Sequence, residues 1–295
     1  MRSKDVDMSA GEINLANKIV KVAFQGEAGA YSEDAIYEFF GSRVQPIPCK
    51  RFSDVFRKVE DGDVDFGVVP IENSIEGSVT QVYDLFLDHE VKVCGEVVLR
   101  IIHCLIANPG LKINSIKVVF SHPQALGQCK SFLEQLNCEI VPTYDTAGSV
   151  KMIKERSMVN AAAIASERAA SIYDMEILAR DIADNPNNYT RFFILSKQDA
   201  SPTGNDKTSI IFSTKHVPGA LYRALGEFAQ RGINLTKIES RPTRQKPWEY
   251  NFYLDFEGHR LEPRCIEALE GLKKKAIFVK VLGSYPKAPE INNVI

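Results

Sequence analysis

The chain has 295 residues, 44% of them hydrophobic and 25% charged, and a formal net charge of −2. This is the usage of a soluble globular protein long enough for one large domain or two ordinary ones. No segment is basic enough to neutralise a row of phosphates and no uninterrupted apolar run approaches the ~20 residues of a bilayer span, so neither nucleic acid nor a membrane is an expected partner.

Residues 1–18 read as a tail with no continuous apolar core of the secretory kind. From Ile19 the chain alternates strands and helices: strands over 19–24, 44–48 and 66–69, helices over 32–40 and 52–60. The same rhythm returns with a strand over 116–120, a helix over 123–136, a strand over 139–141, a helix over 147–156 and a strand over 161–165. Such alternation predicts parallel sheets with helices on both faces. The apolar run 192–195, bounded by turn residues, reads as a buried strand, with Thr190 and Arg191 side by side where a loop enters the sheet. Residues 196–206 have linker composition. Beyond them the order is strand (207–214), helix (218–230, with Pro218 in its first turn and Gly232 past its end), strands (233–240 and 248–256), helix (263–274) and strand (277–282). That is the split βαββαβ, or ferredoxin-like, arrangement. The basic run at Lys273, Lys274 and Lys275 suits the carbonyl end of a helix.

The cysteines at 49, 94, 104, 129, 138 and 265 form no Cys-x-x-Cys pair, and no histidine sits at finger spacing from them. Zinc is therefore not expected, and buried thiols in a reducing, cytoplasmic compartment are. The residues able to do chemistry gather after strands, where open α/β sheets bind ligands. Gln25-Gly26-Glu27-Ala28-Gly29-Ala30-Tyr31-Ser32 opens a helix and is either an anion site or a tight turn with Ser32 as N-cap. Pro70-Ile71-Glu72-Asn73-Ser74-Ile75-Glu76-Gly77-Ser78 is dense in hydrogen-bonding groups. Ser121-His122-Pro123-Gln124 follows, with Gln128 a turn later; His122 is either a helix cap or a site residue. Thr143-Tyr144-Asp145-Thr146-Ala147-Gly148 is a fourth cluster. Together with Thr190 and Arg191 they predict a cleft of neutral donors fit for a small anion. No nucleophile elbow, metal-binding His pair or P-loop is present.

These motifs carry a resemblance. Gly29-Ala30-Tyr31-Ser32-Glu33, Pro70-Ile71-Glu72-Asn73-Ser74, Ser121-His122-Pro123-Gln124, Asp145-Thr146-Ala147-Gly148, Asn188-Tyr189-Thr190-Arg191-Phe192, Gly219-Ala220-Leu221 and Glu239-Ser240-Arg241-Pro242 resemble prephenate dehydratases and the similar arogenate dehydratases over residues 20–284. The resemblance implies an α/β fold: a bilobal, type II periplasmic-binding-protein-like catalytic domain over 19–197, a linker over 198–206, a ferredoxin-like ACT regulatory domain over 207–284, and a tail over 285–295. It implies Thr190, Asn73, Ser121 and Gln128 as catalytic residues, and Gly29, Ser32, Ser74, His122, Arg191 and Phe192 around the substrate. It places Gly219, Ala220, Leu221, Glu239, Ser240, Arg241 and Pro242 around an L-phenylalanine effector, and implies a homodimer or homotetramer. Tyr189 and Tyr222 are variations on the motifs, and Tyr222 bears on effector fit.

Prephenate is a cyclohexadiene with a ring carboxylate, a pyruvyl side chain and a 4-hydroxyl. Loss of carbon dioxide sends an electron pair through the ring and expels the hydroxyl, so aromatisation drives the reaction and neither metal nor cofactor is expected. Thr190 is the expected donor to the leaving oxygen. Arg191 holds a carboxylate or makes a structural salt bridge. Arogenate as substrate, and a non-catalytic amino-acid sensor, remain the alternatives.

Overall fold

The protein was analysed as a computed structural model, which describes residues 19–243 and 248–289. The expected tail at 1–18 and the end of the tail at 285–295 lie outside the described residues. Contacts divide the chain into one unit of residues 19–85 and 97–193 and another holding 86–96 and the chain from 194 onward.

The elements of the first part are β1 (Val20–Gln25), α1 (Tyr31–Phe40), β2 (Val44–Cys49), α2 (Phe52–Asp61), β3 (Phe66–Asn73), β4 (Gly77–Ser78), α3 (Thr80–Asp88) and β5 (Lys92–Arg100). Then come β6 (Cys104–Ala107), β7 (Val118–Ser121), α4 (Pro123–Gln128), α5 (Lys130–Leu136), β8 (Glu139–Pro142), α6 (Thr146–Glu155), β9 (Ala161–Ala165), α7 (Glu167–Ile172), β10 (Glu176–Ala179) and β11 (Tyr189–Ser196). They build two sheets, ordered β2-β1-β3-β11-β5 and β10-β6-β9-β7-β8. In the first, β1 is parallel to β2 and β3, and the short β4 folds back antiparallel on the end of β3. In the second, β7 is parallel to β8 and β9, whereas β6 runs antiparallel to β9 and β10 antiparallel to β6. The expectation of parallel sheets is thus corrected to mixed ones. The strands that break it, β6 and β10, are short runs of four residues with no alternation to announce them. β9, Ala-Ala-Ala-Ile-Ala, is buried throughout, as a central strand covered on both faces must be.

The helix expected over 123–136 is two. Gln128 gives its carbonyl to the Asp184 N–H at 2.8 Å, and the Asp184 carboxylate accepts from Ser131 N at 3.2 Å, capping α5. A loop from elsewhere in the chain therefore ends α4 at Gln128, and Cys129, at φ −117° and ψ 26°, makes the joint.

The second unit carries β12 (Asp206–Thr214), α8 (Ala220–Ala229), β13 (Leu235–Pro242), β14 (Tyr250–Glu257), α9 (Pro263–Lys273) and β15 (Ala276–Pro286). Its sheet has the order β13-β14-β12-β15 with antiparallel pairing. Ile210, Phe212, Leu254 and Phe256 of the sheet share one core with Ala224 and Phe228 of α8 and Ala268, Leu269 and Leu272 of α9. Burying each of the larger side chains is worth about 1.5–3 kcal/mol. Pro218 lies outside the first turn where it was expected: α8 starts at Ala220, with Gly219 as a left-handed N-cap at φ 73°. Gly283 of β15 permits a close approach, since a Cβ there would come within 2.1 Å of the Val93 carbonyl oxygen.

Candidate active site

A cavity of about 560 Å³ lies within residues 25–192. The starts of α1 (Tyr31, Ser32), α3 (Thr80, Gln81), α4 (Gln124) and α6 (Thr146) line it, alongside Asn73 at the end of β3 and Thr190 of β11. Helix starts present unpaired N–H groups and partial positive charge. Among the described residues its lining includes no lysine or arginine. Its lining does include the carboxylates Glu76 and Asp145, so the expected cleft of neutral donors carries two acidic groups as well.

The polar groups form one connected chain whose polarity can be derived. Asn73 Oδ1 accepts from the Ile75 and Glu76 N–H groups at 3.0 Å each. A backbone N–H can only donate, so this end of the amide is fixed as oxygen. Asn73 Nδ2 therefore donates, its two hydrogens shared among Asn188 Oδ1 at 2.8 Å, Thr190 Oγ1 at 3.0 Å and the Tyr189 carbonyl at 3.1 Å. The Asn188 amide is fixed in turn, and its Nδ2 donates to Gln128 Oε1 at 2.8 Å. Gln128 Nε2 then meets Glu76 Oε1 at 3.3 Å, a carboxylate that only accepts, so both ends of the chain agree. His103 Nε2 contacts Gln128 Oε1 at 2.9 Å, and Tyr31 OH contacts His103 Nδ1 at 2.8 Å. Burial lowers the His103 pKa and raises that of Tyr31.

Of the expected site residues, Thr190, Asn73, Gln128, Ser32, His122 and Phe192 line the cavity. Ser32 is not the N-cap: Ala30 takes that place. His122 is a cap as well as a lining residue, accepting from Gln124 N at 3.3 Å. The remaining four are elsewhere. Ser121 is fully buried and donates its hydroxyl to the Ile164 carbonyl at 2.6 Å. Ser74 ties the ends of two strands, donating to Asn187 O and accepting from Tyr189 N. Gly29 adopts φ +91° and packs so tightly that a Cβ would lie 2.6 Å from Ala169 Cα. Arg191 sits beside Glu72, 3.9 Å from its Oε2, with its guanidinium 4.8 Å from the Phe193 ring centroid. β11 begins at Tyr189, so alternation puts Asn188, Thr190 and Phe192 on one face and Arg191 and Phe193 on the other. His103 had no role in the sequence reading because it sits inside the apolar run Ile101-Ile102-His103-Cys104-Leu105, which carries no polar signal but itself.

At the rim, Glu27 accepts from Tyr144 OH at 2.8 Å and from Lys151 Nζ at 2.9 Å. The Lys151 hydrogen bond holds the Glu27 carboxyl below its usual range, while burial raises that of Asp145, the α6 N-cap. In the second unit, Gly219, Ala220 and Leu221 open α8. Glu239, Ser240, Arg241 and Pro242 end β13, an outer strand of its sheet, with Glu239 Oε2 3.5 Å from Lys237 Nζ. No group of three or more His, Cys, Asp or Glu suited to a metal occurs among the described residues, nor does a helix long and apolar enough to cross a membrane.

A family model described as prephenate dehydratase matches residues 22–200, and one for the ACT domain matches residues 208–273. The chain belongs to the prephenate dehydratase family. Its curated relatives include a bifunctional chorismate mutase/prephenate dehydratase of Aquifex aeolicus (strain VF5), 47% identical over 92% of this chain and 75% of the relative. They also include arogenate dehydratase/prephenate dehydratase 2, chloroplastic, of Arabidopsis thaliana, 45% identical over 90% of this chain and 73% of the relative. Among solved structures, a prephenate dehydratase from Arthrobacter aurescens in complex with L-Phe aligns with TM-score 0.84 and 35% identity over 91% of this chain and 90% of its own. A chain described as GqqA, a quorum quenching acylase, aligns with TM-score 0.84 and 33% identity over 91% of this chain and 98% of its own.

Proposed function

We propose that this member of the prephenate dehydratase family converts prephenate to phenylpyruvate, with Thr190 as proton donor to the departing 4-hydroxyl. The observation that carries the reading is the Asn73 amide, which donates to Thr190 Oγ1 at 3.0 Å. The Thr190 oxygen is thereby engaged as an acceptor while its own proton remains available to the cavity. The bond from the ring to its carboxylate breaks, carbon dioxide leaves, the electron pair enters the ring and the carbon–oxygen bond at position 4 breaks. The hydroxide takes the Thr190 hydroxyl proton as it departs as water, and solvent returns one proton to Thr190, so the reaction consumes one proton overall. Asn73 and Gln128 hold the donor and the ring, and helix-start N–H groups hold the carboxylates.

Prephenate mixed with the protein should lose its dienol chemistry to phenylpyruvate, read by the product's ultraviolet absorbance. Thr190→Val keeps the shape and removes the donor, and should lower kcat about 10²–10⁴-fold, the scale of positioned proton transfer. Turnover within a few-fold of wild type would end this assignment, and no product from the wild-type protein would favour a non-catalytic sensor.

Arogenate is a second reading, favoured by the Glu76 and Asp145 side chains in the cavity lining, which suit an ammonium. The ratio of kcat/KM on the two substrates decides between them. An acylase reading with Thr190 as nucleophile is disfavoured, because the group bonded to Thr190 Oγ1 is an amide donor, whereas a threonine nucleophile requires a base. L-Phenylalanine bound to the ACT domain of a homodimer or homotetramer is the proposed regulator, through residues 219–221 and 239–242.

A further inference from the structure

The chain of amides behind Thr190 does not stop at Gln128. Because Gln128 Oε1 is fixed as oxygen, whatever faces it must donate, and His103 Nε2 faces it at 2.9 Å. The Nε2 atom of His103 must therefore carry a proton. With His103 neutral, as its burial favours, Nδ1 is an acceptor and the Tyr31 hydroxyl at 2.8 Å is its donor. Tyr31 OH also lies 3.0 Å from the Ile102 carbonyl, so a proton arriving at Nδ1 needs only that hydroxyl to rotate. Either way Nε2–H is retained. The opposite tautomer would set two lone pairs against each other at Gln128. Turning the Gln128 amide to relieve this would face its N–H groups toward Asn188 Nδ2 and its oxygen toward the Glu76 carboxylate. Turning Asn188 as well would only pass the conflict to Asn73, which the two backbone N–H groups hold in place.

We infer that His103 is a positioning residue: the polarity that the Ile75 and Glu76 N–H groups impose through Asn73, Asn188 and Gln128 requires a proton on its Nε2, and that Nε2–H holds the Gln128 amide in place at the far end of the chain behind Thr190. Thr190 presents the proton, and His103 braces the amides behind it. The kinetic consequence rests on the proposed role of Thr190, whereas the tautomer does not.

Two measurements test this. In the full chain labelled with ¹⁵N-histidine, the His103 resonances, assigned by their loss in His103→Gln, should report a proton on Nε2 at neutral pH; a bare Nε2 overturns the inference. In turnover assays His103→Leu should lower kcat about 10²-fold, the scale of losing an oriented donor in an active site, with KM changing only a few-fold. His103→Gln, whose amide offers an N–H near the same place, should stay within about tenfold of wild type. Equal losses in the two variants, or none in His103→Leu, overturn it as well. Should His103→Leu fail to fold, the tautomer measurement on the wild-type chain still decides. A protonated Nε2 alongside a fully active Thr190→Val variant would instead sink the proposed reaction role and leave the hydrogen-bond assignment standing.

Discussion

Thr190 and Arg191 are adjacent in the chain and face opposite sides of β11, because successive side chains of a strand alternate. The guanidinium is held between Glu72 and the Phe193 ring with its side chain 11% exposed, in an environment unlike that of the cavity. Arg191→Met should therefore cost about 1–2 kcal/mol in urea unfolding, the scale of a partly desolvated cation–π contact, while KM stays within about twofold. A large rise in KM at unchanged stability would return Arg191 to the substrate. The two readings of Arg191 stayed open in the sequence because the apolar run begins at Phe192, so Tyr189, Thr190 and Arg191 read as a loop, and a loop imposes no alternation. Asn73, Gln128 and Thr190 were legible as polar residues beside strands. Their coupling was not, since Asn73 and Asn188 are 115 residues apart. Ser121 shows the converse case, a polar residue in a site motif whose hydroxyl donates to a buried backbone carbonyl.

Elements meet at the cavity through loops that the linear pattern places well and bends poorly. The rhythm of strand and helix located β1, α1, β2, α2 and β7 to within a few residues. The joint at Cys129 was invisible because its cause, Asp184, is a distant loop residue whose carboxylate and N–H act on the helix from outside. The joint matters, because it ends α4 at the residue whose amide reaches Asn188. The loop after β1 is tied to the start of α6 and its neighbours by Glu27, through Tyr144 and Lys151. The Lys151 hydrogen bond depresses the Glu27 pKa below its ordinary 4.5. A carboxyl with a lowered folded-state pKa contributes stability above its unfolded pKa and loses it as pH falls through the folded value. The stability difference between wild type and Glu27→Gln should thus be positive near neutrality and shrink steadily below about pH 4.5. Both ends of the pair are partly exposed, so salt should shrink it too. A difference that is constant from pH 7 to pH 3 would mean that the contact is steric rather than electrostatic.

At the scale of the whole molecule, the chain joins the unit that holds the cavity to an ACT domain, and any regulation between them is a coupling free energy. A ligand shifts an equilibrium only by its differential affinity for the two states, and coupling between two binding events is reciprocal. If L-phenylalanine weakens substrate binding by some factor, a substrate-like ligand must weaken L-phenylalanine binding by the same factor. Calorimetric titration of L-phenylalanine with and without saturating phenylpyruvate should therefore give a ratio of dissociation constants equal to that of the converse experiment. L-Phenylalanine at 100 times its Kd should also add about 2.7 kcal/mol to the stability of the unit it binds. Arg241, near the end of β13, is proposed to hold the effector's carboxylate. Arg241→Ala should move the inhibition curve to higher L-phenylalanine by about tenfold or more, the scale of one charge-assisted hydrogen bond, and leave uninhibited kcat unchanged. An unmoved curve would remove Arg241 from the effector site, whereas a moved curve with a lowered kcat would mean that the substitution had altered the uninhibited enzyme itself.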